Sequence, residues 1–166
     1  PFGSARFQIQ DAINRAHMAR EEQMPQPQTF AAGLEFLQTN HMYDNWFLQI
    51  ETFDPHEPFF SPKEYQALYQ DIDIGYDADW PPYGPCQSSE AVVQHVPNKY
   101  AALVSMCDRY LGKVLDFMDA HGMWKDTALI VTTDHGYLLG EHQWWAKSIM
   151  PLYNEIAHIP MFAWDP

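Results

Sequence analysis

The chain has 166 residues, 46% of them hydrophobic and 15% aromatic, so it can fill the core of one ordinary domain and is not a disordered segment. Its formal net charge of −13 excludes nucleic acid and anionic membranes as main partners, because both require a basic surface. The two cysteines, Cys86 and Cys107, lack the spacing of a zinc site or a redox pair. The apolar runs are far shorter than the roughly 20 residues of a membrane span. No secretion signal is present, and the compartment stays open.

The amino-terminal part of the sequence predicts two helices and a strand. Apolar residues recur at helical spacing from Gln8 to Glu22, and a Pro-rich stretch follows, so residues 1–28 are interpreted as a helix and linker of the same domain. Thr29 is predicted to cap a second helix with its hydroxyl. The stretch "NWFLQIETF", Asn45 to Phe53, predicts the first strand.

An irregular segment runs from Asp54 to about Glu90, and only "PKEYQALY" within it predicts a helical turn. A loop of this length is typically functional or has lost its packing partner. Both explanations stay open.

The carboxy-terminal part predicts a long helix between two apolar strands. Apolar residues at intervals of 3, 4 and 7 predict a helix from about Pro97 to His121, which Gly122 ends. "TALIVTT" predicts a strand buried on both faces, and "IPMFAWDP" predicts a last strand. Strands separated by helices predict an α/β fold with right-handed crossovers, in which three layers, α/β/α, surround a mostly parallel (mixed) sheet. Three strands are too few, so this sheet is expected to be incomplete in the present chain.

Polar side chains follow two of these strands at their carboxyl ends, where α/β sheets bind ligands. His56 lies in "DPHEPF" after the first strand, and Asp134 and His135 lie in "DHG" after the second. A carboxylate and an imidazole can hold a divalent cation if other segments add oxygen ligands. The alternative is a turn with a helix-capping aspartate, and a lone histidine such as His56 is more often a simple hydrogen-bonded residue.

Lys147 is the only Lys or Arg that follows Lys125. It comes directly after two tryptophans, so aromatic walls could aim its ammonium at an anion. Equally, it could be a solvated lysine whose stem covers a tryptophan.

Several spaced motifs, in the right order, resemble one family. "DTALIVTTDHGYLLGEHQWWAKSIMPLYNEIAHIPMFAW" resembles the sulfatase segment in which a strand ends in Thr-(Ser/Thr)-Asp-His/Asn-Gly and is followed by Leu-Gly-Glu-His and a Trp and Lys pair. "NWFLQIETFDPHEPFFSPKEY" resembles the strand and Pro-His-x-Pro loop of that family, and "YAALVSMCDRYLGKVLDFMDAHGMWKDT" its connecting helix. The resemblance identifies residues 29–166 as part of a sulfatase-like catalytic domain of the alkaline phosphatase superfamily.

The resemblance implies metal-dependent hydrolysis of a sulfate ester, carried by a small molecule or a glycan. It implies that Asp134 and His135 are metal ligands, for Ca²⁺ with Mn²⁺ or Zn²⁺ as alternatives. It further implies that Lys147 contacts the sulfuryl oxygens and that His56 contacts the sulfate or assists the leaving group. The role of Glu141 and His142 is left unassigned.

The family's nucleophile is a formylglycine made from a Cys/Ser-x-Pro-x-Arg motif, and neither the cysteines nor any serine of this chain fits that motif. We therefore expect an internal piece of a longer polypeptide, inactive alone, whose partner is the remainder of the same polypeptide. Alternative functions are a phosphonate monoester or phosphodiester hydrolase of the same superfamily, and a non-catalytic α/β binding module.

Overall fold

The computed structural model describes residues 5–166, so the first four residues of the predicted amino-terminal segment lie outside it. The helices are α1 (Ala5–Ala16), α2 (Pro25–Asn40), α3 (Lys63–Gln66), α4 (Glu90–His121) and α5 (Asn154–Ala157). The strands are β1 (Gly84–Pro85), β2 (Leu129–Thr132), β3 (Leu138–Leu139), β4 (Trp144–Ala146) and β5 (Met161–Trp164). This mixed helix and sheet content is consistent with the expected α/β class.

Helix α4 forms the centre of the core. Its buried face repeats at the predicted spacing and comprises Ala102, Leu103, Met106, Tyr110, Val114 and Met118. The helix begins at Glu90, seven residues earlier than predicted, and therefore contains Pro97 inside its first turns. Gly122 adopts a left-handed conformation (φ 63°) and ends the helix, as predicted. No helix within residues 5–166 combines the length and apolarity needed to cross a membrane.

The first two helices differ from their predicted bounds. Helix α1 ends at Ala16, and a separate 3₁₀ turn occupies Glu21–Gln23. Helix α2 begins at Pro25. Proline suits the first helical position because it has no N–H, and an N–H at that position would have no acceptor within the helix. The prediction that Thr29 caps this helix is wrong: Thr29 lies within the helix, and its hydroxyl donates to the Pro25 carbonyl at 3.0 Å.

The predicted strand at Asn45–Phe53 is not a hydrogen-bonded strand among the described residues. Its side chains from Trp46 to Phe53 nevertheless alternate strictly between half-buried and exposed, as on an extended chain. The half-buried side packs on α2, where Ile50 Cδ1 lies so close to Gly33 that a Cβ there would come within 2.5 Å of it. The segment therefore has the alternating pattern of a strand, but no other strand of the described chain pairs with it.

Both sheets of residues 5–166 are antiparallel. Strand β2 pairs with β5 in the register Leu129 with Trp164 and Thr132 with Met161. A second, smaller sheet has the order β1, β4, β3. The mostly parallel sheet of three layers is therefore not found within the described chain. The segment between β2 and β5 contains β3, β4, short turns and the four-residue α5, and no long crossover helix. Nor is β2 buried on both faces, since Ile130 is exposed.

Candidate active site

Two residues that the sequence singled out, His56 and Lys147, meet at a third that it did not. Lys147 Nζ lies 3.6 Å from Glu57 Oε2, and His56 Nδ1 lies 3.3 Å from the same oxygen. The loop that carries His56 and Glu57 is held by Phe59, which is fully buried and packs edge-on against Tyr100 of α4 and Tyr137, with ring centroids 5.3 Å apart in each pair. This packing brings the loop beside the strand that precedes Lys147.

Glu57 is a buried carboxylate, with 2% of the residue exposed. Its Oε1 accepts a hydrogen bond from the Tyr83 hydroxyl, whereas Oε2 faces the Lys147 ammonium and the His56 imidazole and has no hydrogen-bond partner. Burial, followed by this bond to a carboxylate, raises the pKa of Tyr83. The only sequence signal for Glu57 is its place between His56 and Pro58 in the loop motif.

One of the two ring nitrogens of His56 is engaged in a hydrogen bond within the chain. Its Nδ1 donates to the Glu57 carbonyl oxygen at 2.6 Å, and its ring lies 4.1 Å from that of Phe53, centroid to centroid. This arrangement leaves Nε2 for an external partner. His56 also lines a cleft of about 350 Å³ together with Phe53, Asp54 and Trp80.

Lys147 is held in an unusual backbone setting. The residues on either side of it, Ala146 (φ 74°) and Ser148 (φ 85°), are both in the left-handed region, which non-glycine residues seldom adopt. The residue is only 9% exposed, and its ammonium also lies 5.9 Å from the ring centre of Tyr137. The alternative of a solvated surface lysine is therefore wrong.

Asp134 and His135 lie just after β2, and their side chains form a pair of potential metal ligands. The Nδ1 of His135 donates to the Gly136 carbonyl oxygen at 2.8 Å, which leaves its Nε2 lone pair 3.7 Å from Asp134 Oδ2. Slight burial raises the pKa of Asp134, but the amides of Asp134 and His135 and the nearby imidazole outweigh it, so the pKa is lowered overall. An ionised carboxylate beside an imidazole whose second nitrogen is fixed by a carbonyl is a donor pair suited to a divalent cation.

This pair is half of a site at most. Within residues 5–166 no group of three or more His, Cys, Asp or Glu side chains is placed to hold a metal ion. Among the described residues, no hydrogen bond or ion pair joins Asp134 or His135 to the cluster of His56, Glu57 and Lys147. The chain itself provides the link, because Tyr137 follows His135 by two residues and lies beside Lys147.

The loop that carries the pair rests tightly on helix α5. The amide of Gly136 donates to the Ile156 carbonyl oxygen at 2.9 Å. A Cβ at Gly136 would overlap the Glu155 carbonyl oxygen, so only glycine allows this approach. The position of Asp134 and His135 therefore depends on that of α5.

Comparison with known proteins identifies the family, since the model of the family described as Sulfatase matches residues 6–166. The chain belongs to the sulfatase family. This result agrees with the assignment to the alkaline phosphatase superfamily that the sequence motifs indicated.

Curated relatives of this sulfatase-family chain are similar over most of its length. It is 28% identical to the iduronate 2-sulfatase of Homo sapiens over 73% of this chain and 26% of that protein. It is 24% identical to an arylsulfatase of Clostridium perfringens over 81% of this chain and 30% of that protein. A multifunctional alkaline phosphatase superfamily protein of Trinickia caryophylli is 26% identical over 58% of this chain and 24% of that protein. The chain thus spans about a quarter to a third of the length of the curated relatives it matches.

Proposed function

We propose that the complete polypeptide hydrolyses a sulfate ester with the help of a divalent metal ion, and that this chain supplies one wall of its active site. The observation that carries the proposal is the convergence of His56 and Lys147 on buried Glu57, with the strand-end pair Asp134 and His135 preceding Lys147 in the same segment. The relatives named as sulfatases support the reaction type. We also propose the three-layer α/β/α architecture, completed by the remainder of the polypeptide.

In the proposed reaction Lys147 stabilises the negative charge on the sulfuryl oxygens. An ammonium has three donors, and the single 3.6 Å contact with Glu57 leaves the others for substrate oxygens. A fixed cation in a buried site typically contributes more to catalysis than one in water, because the dielectric constant is lower there. Glu57 keeps the ammonium in place before the substrate binds.

His56 is proposed to serve the departing oxygen. Its Nδ1 remains bonded to the Glu57 carbonyl, so the ring cannot turn freely and Nε2 is left for the substrate. When Nε2 carries a proton, it can pass that proton to the leaving alcohol. Phe53 and Trp80 line the adjoining cleft and would contact the organic part of the substrate.

Asp134 and His135 are proposed to hold the metal ion, Ca²⁺ first and Mn²⁺ or Zn²⁺ as alternatives. Bound there, a divalent cation would supply Lewis-acid stabilisation of charge on the sulfuryl group. The formylglycine nucleophile and the remaining ligands are proposed to come from the remainder of the polypeptide, since residues 1–166 contain no Cys/Ser-x-Pro-x-Arg motif.

The test compares variants of the complete polypeptide on an aryl sulfate. Lys147→Ala and His56→Ala are each expected to lower kcat/KM by about 10²-fold or more, the usual loss when a transition-state donor is removed. Lys125→Ala, an exposed lysine outside the cluster, is the control and should match the wild type. Asp134→Ala should lower the metal content measured by mass spectrometry. Unchanged kcat/KM in both Lys147→Ala and His56→Ala would contradict the proposal.

A second candidate is hydrolysis of a phosphonate monoester or phosphodiester. The relative described as multifunctional favours it, and Lys147, His56 and a divalent ion would serve a phosphoryl group equally well. Aryl sulfate and aryl phosphonate esters should be assayed side by side on the complete polypeptide. A strong preference for the phosphorus ester would replace the sulfatase assignment.

A further inference from the structure

His142, in the loop between β3 and β4, reaches helix α5. Its Nε2 lies 3.1 Å from both Oε1 and Oε2 of Glu155, so one N–H donor is shared by the two carboxylate oxygens. Its ring stacks on Tyr153 with the centroids 4.0 Å apart and the planes only 6° from parallel. One exposed side chain thus contacts both the residue that precedes α5 and the second residue within it.

The same short helix supports the loop of the proposed metal ligands. Gly136, the residue after His135, bonds to the Ile156 carbonyl and lies against the Glu155 backbone. A helix of four residues has almost no stability of its own. Side-chain contacts from outside must therefore hold α5 where Gly136 meets it.

The backbone around His142 adopts an unfavourable conformation in the loop that brings the side chain to α5. His142 (φ 54°) and Gln143 (φ 63°) both occupy the left-handed region, and Gly140 precedes them with φ 110°. For residues with a Cβ, such a conformation costs on the order of 1 kcal/mol each and persists where other contacts enforce it. The contact of His142 with Glu155 and Tyr153 is such an enforcing contact.

We infer that the His142 and Glu155 pair is a positioning device for the proposed metal ligands: it holds α5 in the place against which Gly136 rests, and so orients Asp134 and His135. The inference rests on the proposed function, because it assigns the pair a role at that metal site. Neither His142 nor Glu155 touches the metal or the substrate in this assignment. Loss of the pair leaves the ligands present but loosely oriented.

The test measures metal affinity of the complete polypeptide, stripped of metal, by titration with Ca²⁺ or Mn²⁺ in a calorimeter. His142→Gly is compared with Gln143→Gly, because each variant places glycine at a positive φ and only the first removes the contact with α5. His142→Gly is expected to weaken binding about 10-fold to 100-fold, as is usual when a residue that orients ligands is lost. Gln143→Gly should bind like the wild type.

Two further variants separate positioning from general damage to the loop. His142→Gln keeps an N–H donor for Glu155 and is expected to restore most of the affinity. Glu155→Ala should also weaken binding, by no more than His142→Gly, because it leaves the stack of His142 on Tyr153 in place. The double variant should be no weaker than His142→Gly alone, because His142→Gly already removes the bond to Glu155. Equal affinity of His142→Gly and Gln143→Gly would overturn the inference.

Asp134→Ala distinguishes failure of this inference from failure of the proposed function. If Asp134→Ala abolishes metal binding while His142→Gly retains it, only the positioning role is overturned. If Asp134→Ala binds metal as tightly as the wild type, the proposed metal site itself is overturned, and the positioning role with it.

Discussion

At the scale of single residues, the candidate site is governed by two carboxyl groups in different surroundings. Glu57 is buried, but its carboxyl group faces the Lys147 ammonium and the His56 imidazole. Asp54, three residues earlier, is half-buried, and no ion pair to its carboxylate is recorded among the described side chains. Burial raises the pKa of Asp54 from 3.8 to about 6. An anion partly removed from water without a partner destabilises the fold that contains it.

The raised pKa of Asp54 gives a pH dependence with a definite sign. Between about pH 4 and pH 6 the folded chain keeps a proton that the unfolded chain has released, so the free energy of unfolding falls as pH rises. We expect Asp54→Asn, which cannot ionise, to be more stable than the wild type by on the order of 2 kcal/mol at pH 7.5 and equal to it at pH 3.5. Urea denaturation of both proteins at the two pH values measures this difference.

The control for Asp54 is Asp44→Asn, at an exposed aspartate ten residues earlier in the chain. It should change the free energy of unfolding by no more than about 0.5 kcal/mol at either pH, as is usual for a surface substitution. A constant difference between Asp54→Asn and the wild type across the pH range would contradict the proposed ionisation.

At the scale of elements, the approach of the loop after β2 to helix α5 is tight enough to test with one methyl group. Gly136→Ala would place a Cβ onto the Glu155 carbonyl, and backbone cannot move aside cheaply. We expect a loss of about 1–3 kcal/mol in the free energy of unfolding, the usual cost of overpacking. The complete polypeptide should also bind metal more weakly, because the displaced loop carries the proposed ligands.

A second glycine provides a matched control of opposite sign. Gly112 lies inside α4, and a Cβ there would meet nothing within 4 Å. Gly112→Ala is expected to stabilise the chain by about 0.5–1 kcal/mol, since alanine loses less backbone entropy in a helix. If thermal unfolding showed the same change for both substitutions, the contact between Gly136 and α5 would not limit the fold.

The elements that the sequence predicted correctly are those with a local cause. The long periodic face of α4 and the glycine at Gly122 are signals within one segment, and both are confirmed. The capping role of Thr29 failed because Pro25, four residues earlier, is a stronger start signal. The strand at Asn45–Phe53 failed for a non-local reason: alternation describes an extended segment, but a strand also needs a hydrogen-bonded neighbour, which residues 5–166 do not provide.

The residues of the candidate site likewise divide into those that a local motif predicted and those that only the structure shows. His56 and Lys147 each follow a motif that can be recognised in the sequence, and the structure brings them to one carboxylate. That carboxylate, Glu57, was placed after the first strand but assigned no role, and its donor Tyr83 was missed, because their contact joins residues 26 positions apart through an irregular loop. The bond between His142 and Glu155 was missed for the same reason, since nothing in local spacing couples the β3–β4 loop to α5.

At the scale of the whole molecule, the ribbon of β2 and β5 presents apolar side chains on both faces. Pairing of Ile130 with Ala163 puts Ile130 and Met161 on one face, and pairing of Val131 with Phe162 puts Phe162 on the other, together with Trp164. Ile130, Met161 and Phe162 are each more than 60% exposed. Strands that are apolar on both faces are typical of a sheet covered by helices on both sides. The ribbon therefore supports the proposed three-layer architecture.

Because of this apolar surface, we expect Phe162→Lys to improve the behaviour of the present chain alone but to destabilise the complete polypeptide. In the present chain alone, Phe162→Lys should reduce self-association and binding of the dye ANS, because it breaks an exposed apolar patch. In the complete polypeptide, where we propose that other segments cover this face, the same substitution would bury an unpaired charge and lower the free energy of unfolding by about 3 kcal/mol or more. Leu68→Lys is the matched control, since Leu68 is 66% exposed and Phe162 is 68% exposed, but Leu68 lies beside α3, away from the ribbon. A complete polypeptide that tolerates Phe162→Lys as well as Leu68→Lys would show that this face of β5 remains in solvent.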